Sequence, residues 1–201
     1  MKYQIYTPCN GIEYRIKLSK DFLKNTLISI EYRYRSKTGN TPNSDNKIAI
    51  TDNKVLQNLY FHLQHQANEN LTFNSRIALN KYSTVNNTDT TGFLMYQEVI
   101  YAPTSLPINI AARYTIFQTD DYNTRIYTYE RDLAYEFSTP AFYGKGAKFY
   151  ILAKIEISKR TSIGIKYSWL SYPEKTYIGS NADLIKSNHK QEFKIQLRCN
   201  L

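Results

Sequence analysis

Residues 26–36 read Thr-Leu-Ile-Ser-Ile-Glu-Tyr-Arg-Tyr-Arg-Ser, and in this stretch apolar and charged side chains alternate. Successive side chains of an extended strand point to opposite faces. The isoleucines and tyrosines would therefore share one face, and the glutamate and arginines the other. An amphipathic helix would instead repeat its apolar positions every three to four residues. The stretch predicts a β-strand with one apolar and one ionic face.

The same alternation recurs along the whole chain, whereas helical periodicity is nearly absent. No run reaches the roughly 18 apolar residues that a membrane-spanning helix requires. We therefore predict an all-β fold, an antiparallel up-and-down sheet of about ten strands forming a single domain over residues 1–201. The predicted strands cover residues 11–19, 26–36, 55–66, 71–80, 92–101, 108–118, 125–137, 149–157, 163–169 and 189–201.

Composition narrows the class of protein without deciding its function. With 19 Tyr but only 7 Gly and 6 Pro, the chain is neither collagen-like nor of low complexity. The mean hydropathy of −0.53 is compatible with a membrane β-barrel, because each spanning strand needs only about 9–11 residues with every second one apolar. The formal charge of +9 suits a nucleic-acid binder, an anionic membrane surface or a basic pore.

Three features indicate that the apolar face of these strands meets lipid. The opposite face is dense in Arg, Lys and Glu, as a polar lumen would be. The chain stops on an amphipathic strand that could close a barrel, and open sheet edges do not occur in hydrocarbon. Aromatic residues fall near strand ends, as in the girdles of membrane barrels: Tyr32, Tyr34, Tyr127, Tyr129, Tyr167 and Trp169.

We therefore predict a transmembrane β-barrel of the bacterial outer membrane, porin-like, with a structural or transport role. A soluble β-sandwich or a lipocalin-like ligand-binding barrel stays open as the alternative, because alternation alone does not say which face is inside. The residues predicted to line the lumen are Arg15, Arg33, Arg35, Arg76, Arg113, Glu130, Asp132, Lys154, Glu156, Lys166, Lys194 and Arg198. Cations outnumber acids in this set, so a water-filled lumen would prefer anions, whereas a narrow one would hold a packed, ion-paired plug.

The sequence predicts neither an enzyme nor a cofactor or metal site. Glu130 and Asp132 would lie about 7 Å apart on one strand face, a spacing that paired-carboxylate hydrolysis could use, but ion pairs with Arg113 or Lys154 are favoured. Two of the histidines, three residues apart, would point to opposite faces of their strand. We expect no nucleic-acid partner, because bases and aromatics occupy opposite faces.

The orientation of the predicted barrel contains a conflict. With a periplasmic C-terminus, the loop over residues 173–188 is extracellular and the turn at 158–161 periplasmic, which fits the rule of short periplasmic turns. Counting back ten strands places the polar loop 37–53 on the periplasmic side, so one strand is miscounted.

The ends of the chain add two expectations. If the first and last strands met, Cys9 and Cys199 could approach each other and pair. The first eight residues lack a secretion signal. Either the sequence is the C-terminal part of a longer precursor or a larger barrel, or the membrane interpretation is wrong.

The second half of the chain resembles the C-terminal barrel region of Bacteroidetes outer-membrane proteins that carry a helix-hairpin-helix domain. The matching stretches are Phe93–Val99 (FLMYQEV), Thr119–Glu130 (TDDYNTRIYTYE), Phe137–Gly146 (FSTPAFYGKG), Tyr177–Gly179 and Phe193–Leu201 (FKIQLRCNL). The resemblance implies outer-membrane lipid and the barrel-assembly machinery as partners. The helix-hairpin-helix module itself is absent here, and Leu201 stands where such barrels more often end in an aromatic residue.

Overall fold

The computed structural model describes residues 10–41, 50–84, 87–179 and 181–199. Its main feature is one antiparallel sheet of nine strands, in the order β1-β2-β3-β4-β5-β6-β9-β10-β11, beside a separate two-stranded pair, β7-β8. The strands are β1 (Gly11–Asp21), β2 (Thr26–Thr41), β3 (Ile50–Asn68), β4 (Leu71–Thr84), β5 (Asn87–Tyr101), β6 (Ile108–Thr119), β7 (Ile126–Tyr127), β8 (Ala141–Phe142), β9 (Lys145–Ser158), β10 (Thr161–Ser171) and β11 (His189–Cys199).

The prediction of an all-β antiparallel sheet is confirmed, and each strand of the large sheet pairs with its neighbour along the chain except across residues 120–144. Among the described residues, the helical structure is a single 3-10 turn at Asn181–Asp183, and no helix there is long and apolar enough to cross a membrane. The predicted Cys9–Cys199 pair involves Cys9, which lies outside the described residues. Cys199 is exposed and carries a free thiol.

The prediction of a seventh sheet strand over residues 125–137 is wrong. There, only Ile126 and Tyr127 pair with another strand, the short β8, and β6 pairs directly with β9. Residues 120–144 form an inserted loop that lies against one face of the sheet. Its alternation is real, since Thr128, Glu130 and Asp132 are buried. Successive side chains of an extended segment point to opposite sides whether the segment pairs edge to edge in a sheet or lies flat on its face. Periodicity therefore could not distinguish a sheet strand from a loop lying on the sheet.

Removing that strand resolves the orientation conflict. With nine sheet strands, the β2–β3 connection lies at the same end as the inserted loop and the long β10–β11 connection, residues 172–188. The same end also holds the two-residue β4–β5 connection, 85–86, while all four connections at the opposite end are short: residues 22–25, 69–70, 102–107 and 159–160. We call these the loop end and the turn end. Because the strands alternate in direction, β1 and β11 run the same way.

The two faces of the sheet differ sharply. The outer face carries the isoleucine, leucine and phenylalanine rows, which remain exposed: Leu18 is 69% and Ile195 64% exposed. The inner face carries the ionic rows and receives the inserted loop. The buried apolar residues sit where loop and sheet meet, in one cluster around Leu94, Phe117 and Phe142 and a second of Leu133, Tyr150 and Leu152. The core therefore lies on the ionic side of the sheet.

Candidate functional site

The strand registers place ten of the predicted lumen residues on the inner face: Arg15, Arg33, Arg35, Arg76, Arg113, Lys154, Glu156, Lys166, Lys194 and Arg198. The remaining two, Glu130 and Asp132, lie on the inserted loop and not on a sheet strand, but they reach the same face. The sheet brings Arg113, Lys166 and Lys194 together with the loop. Lys154, Glu156 and Arg198 lie nearer the β9–β10 turn, and the described residues offer them no ion pair.

The carboxylate of Glu98 on β5 is the centre of the inner-face network. Its Oε1 accepts hydrogen bonds from Arg113 Nη2 at 2.7 Å and from the Tyr150 hydroxyl at 2.7 Å. Its Oε2 accepts one from Asn74 Nδ2 at 3.0 Å, and Arg131 Nε lies 3.4 Å away. The side chains of Glu98 and Arg113 are each 3% exposed. A buried carboxylate is tolerated only when paired and hydrogen-bonded in this way, so the network joins β4, β5, β6, β9 and the loop.

Three acid–lysine pairs fasten the inserted loop across three successive strands. Lys148 Nζ of β9 donates to Glu130 Oε2 at 2.6 Å. Lys166 Nζ of β10 donates to Asp132 Oδ2 at 2.8 Å, and Lys194 Nζ of β11 donates to Glu136 Oε2 at 2.6 Å. We expected Arg113 or Lys154 as the partners of Glu130 and Asp132. That pairing is wrong, because the loop crosses the face of the sheet instead of joining it as a strand.

Backbone contacts complete the docking. Arg113 Nη1 donates to the Tyr129 carbonyl at 2.6 Å, and Lys166 Nζ to the Arg131 carbonyl at 2.9 Å. The side-chain amide of Gln196 both accepts from Ala134 N and donates to its carbonyl, each at 3.0 Å. The loop is thus held by polar groups from β6, β10 and β11 as well as by its ion pairs.

Two glycines let the loop lie close to the sheet. A Cβ on Gly92 would stand 2.4 Å from the Thr124 carbonyl oxygen, and one on Gly164 would stand 2.7 Å from Leu133 Cδ2. Both distances are too short for a real contact. The small residues at these two positions are therefore what permits the loop backbone and Leu133 to approach β5 and β10.

The side of the loop that faces away from the sheet is aromatic. Tyr129 and Phe137 contact each other at 5.7 Å between ring centroids, and Tyr135 is 92% exposed with a left-handed backbone at φ 65°. That conformation is uncommon for a bulky residue, and bonds on both sides of it, at Ala134 and Glu136, hold it. Tyr127 and Tyr129 belong to this loop surface and not to a strand of the large sheet, on which the sequence had placed them.

The inner face of β1 to β4 carries a second, more open set of charges. Arg15 Nη2 donates to Glu31 Oε2 at 2.7 Å, and Arg33 Nε donates to Glu13 Oε1 at 2.9 Å. The Arg15 side chain is 61% exposed. We call this surface, around Arg15, Arg33, Arg35 and Arg76, the open wall. The inner face of β5 to β11 under the inserted loop is the covered wall.

The Asp132 carboxyl is a loop acid whose pKa is lowered by its contacts with the sheet. Burial by itself would raise its pKa, but the hydrogen bonds from Lys166 Nζ and from the Leu133 N–H outweigh burial and hold the pKa below the ordinary 3.8. The group therefore stays ionised at neutral pH. Its arrangement suits a structural ion pair rather than proton transfer.

Sequence reasoning missed Glu98, Lys148 and Tyr150. A signal for Glu98 existed, because a hairpin that pairs β5 with β6 sets it directly opposite Arg113, and cross-strand opposites interact. Lys148 could not have been found in this way, since its partner Glu130 lies on a loop that was assigned to the sheet. Tyr150 could not either, because its hydroxyl reaches Glu98 across β6, and the predicted seventh strand separated β6 from β9.

No protein-family model matches the chain, and no curated protein matches it. Among solved structures, the chain is similar to the NanC porin, with 12% sequence identity over 96% of this chain and 98% of that chain and a TM-score of 0.44.

Proposed function

We propose that this chain is an outer-membrane β-barrel in which the nine strands of the large sheet belong to the barrel wall and the inserted loop narrows a polar lumen. The observation that carries the proposal is the inversion of the two faces. Exposed apolar rows cover the outside, while Glu98, Arg113, Lys166 and Asp132 are buried inside. In water, each large apolar side chain left exposed forgoes about 1.5–3 kcal/mol of burial, whereas hydrocarbon is the natural contact for such rows.

The soluble alternative accounts less well for these features. A β-sandwich buries the apolar faces of two sheets against each other and leaves the polar faces in water. Here the element packed on the large sheet is the inserted loop, and it covers the ionic face. A lipocalin-like barrel also keeps its apolar rows inside, so both alternatives require the opposite placement of Ile16 and Ile195.

The connections support the same proposal. Membrane barrels of bacteria have short periplasmic turns and longer extracellular loops, and here the longest connections share the loop end. We infer that the loop end is extracellular and the turn end periplasmic. Outer-membrane lipid and the barrel-assembly machinery are the partners that follow from this placement, and the role is passive passage of small polar solutes, not catalysis.

Membrane location is tested by fractionation of cells that produce the full chain. We expect the protein in the detergent-solubilised outer-membrane fraction, with a gel mobility that changes on heating because the unheated barrel stays folded. A monodisperse, detergent-free soluble monomer would contradict the proposal.

Narrowing of the lumen by the loop is tested by chemical labelling of Tyr135→Cys in a Cys9→Ser, Cys199→Ser background. Tyr135 is 92% exposed, so a charged methanethiosulfonate reagent attached there should reduce single-channel current in planar bilayers. The matched control is Lys159→Cys on the short β9–β10 turn, where the same reagent should leave the current unchanged. Equal effects at the two positions would refute a lumenal position of the loop.

A further inference from the structure

We propose that the open wall is an anion track, the part of the lumen at which negatively charged solutes bind and pass. The inference rests on the proposed barrel and names its solute class. It also separates the predicted lumen residues into two groups, because only some of their charges are left uncompensated.

On the covered wall, the cations and acids in contact with the inserted loop balance, whereas Lys154, Glu156 and Arg198 lie beyond the loop, toward the β9–β10 turn. Arg113, Arg131, Lys148, Lys166 and Lys194 face the five acids Glu98, Glu130, Asp132, Glu136 and Glu192, and every one of these ten groups takes part in an ion pair. Opposite charges in an ion pair cancel most of each other's electrostatic field, so they attract a passing ion only weakly. The covered wall is therefore a poor anion site even though it holds many of the predicted basic residues.

In the middle of the open wall, cations outnumber acids. Five cations line it, and the acids among them are Glu13 and Glu31. Glu13 pairs with Arg33 and Glu31 with Arg15. The cations are Arg15, Lys17, Arg33, Arg35 and Arg76.

Arg35 and Arg76 are the cations on which the proposal depends most. Neither takes part in an ion pair among the residues that the structure describes, and both are half-buried. Arg76 is held over the Tyr60 ring, 4.6 Å from its centroid, so the guanidinium is positioned without being neutralised. Guanidinium groups fixed in this way present planar donors to carboxylate or phosphate oxygens.

The geometry makes these cations a track and not a single pocket. Arg33 and Arg35 are two residues apart on β2, and Arg15 of β1 lies directly opposite Arg33. Arg76 of β4 follows further toward the turn end, opposite His62 of β3. In a lumen with low-dielectric walls, an excess of one sign concentrates counter-ions and sets selectivity.

The track is tested by reversal potentials across planar bilayers in a KCl gradient. Wild-type protein should prefer chloride to potassium several-fold, and the variant R35Q/R76Q should lose most of that preference. Neither side chain holds a carboxylate, so the variant leaves no acid unpaired and should fold. The control K159Q/R160Q removes the same charge from the turn outside the wall and should keep the wild-type selectivity. Cation preference, or no change in R35Q/R76Q, would overturn the anion track while leaving the barrel in place.

A second measurement keeps the test independent of conduction. Folded protein in zwitterionic micelles is titrated with inorganic pyrophosphate in a calorimeter at low ionic strength. Binding should weaken at least several-fold in R35Q/R76Q and stay unchanged in K159Q/R160Q. If the folded protein inserts into the bilayer but passes no current, the pore proposal fails. The titration alone then decides whether the open wall binds anions. Absent binding, or equal binding in both variants, refutes it.

Discussion

The covered wall and the open wall are built from the same kind of cross-strand pair but in different surroundings. Arg113 and Glu98 on neighbouring strands are 3% exposed, whereas Arg33 and Glu13 are 38% and 44% exposed. The inserted loop makes the difference, because it lies over the first pair. A covering loop thus converts a surface ion pair into a buried one. Removing one partner of a buried pair costs far more free energy of unfolding than removing one partner of an exposed pair.

The largest expected effect follows from removing the buried carboxylate at the centre of the covered wall. Glu98→Ala leaves Arg113 and the Tyr150 hydroxyl buried without their acceptor. We expect the free energy of unfolding to fall by about 3–5 kcal/mol, the usual cost of breaking a buried pair on one side. Urea unfolding in detergent micelles, followed by the heat-dependent gel shift, measures the change.

The control for that variant is Glu13→Ala on the open wall, which removes the acceptor of Arg33. Its cost should stay below about 1 kcal/mol, as for other exposed pairs. Similar losses in the two variants would mean that the loop does not shield the covered wall in the membrane.

A smaller effect is expected from adding one methyl group under the loop. Gly92→Ala places a Cβ against the Thr124 carbonyl, a backbone atom that can move only with the loop. We expect a loss of about 1–3 kcal/mol, as in other overpacked sites, and faster proteolysis within residues 120–144. Gly11→Ala on the open wall is the control, because its Cβ would stand at an ordinary 3.4 Å from the Ser36 carbonyl oxygen. Unchanged proteolysis in Gly92→Ala would show that the loop is not docked there.

The antiparallel sheet and its two faces could be predicted from the sequence, whereas the inserted loop could not. Period-two alternation correctly predicted the antiparallel sheet, and it separated Arg33 from Tyr32 and Lys166 from Tyr167 onto opposite faces. Both results depend only on backbone geometry, which a strand imposes on any sequence. The same signal failed over residues 125–137, where the side chains also alternate but Arg131 interrupts the apolar face.

The covered wall could not be predicted because it depends on a tertiary contact. Thr128, Glu130 and Asp132 are buried because the loop lies on the ionic face, and no local pattern states which surface an extended segment lies on. The orientation conflict was the indirect sign of this error. The conflict showed that one strand had been miscounted, but not which one, since the rule of short turns counts strands without locating them.

Acid should loosen the docking of the inserted loop on the covered wall. The pKa of Asp132 lies below its ordinary value of 3.8, because hydrogen bonds from Lys166 and the Leu133 N–H outweigh the opposing effect of burial. A lowered acid pKa stabilises docking at all pH values above 3.8, and this contribution is lost as the pH falls below 3.8 through the lowered value. A spin label at Tyr135→Cys, in the cysteine-free background, should gain mobility in that window. In Asp132→Asn the label should already be mobile at neutral pH, and its mobility should change less with acid. A label mobility that stays unchanged down to pH 2 in the otherwise wild-type chain would contradict the role of Asp132.

The smallest expected effect is the coupling between Arg33 and Glu13 on the open wall. Their separation is short, with Nε 2.9 Å from Oε1, but water reaches both side chains and competes for the bond. A double-mutant cycle of Arg33→Ala and Glu13→Ala should give a coupling of about 0.2–1 kcal/mol that shrinks with added salt. The same cycle on Arg113 and Glu98 should give several-fold more and respond weakly to salt, because the loop excludes water there. A salt-insensitive coupling at Arg33 and Glu13 would mean that some other part of the protein covers this wall in the membrane, and the anion track would then be closed to solutes.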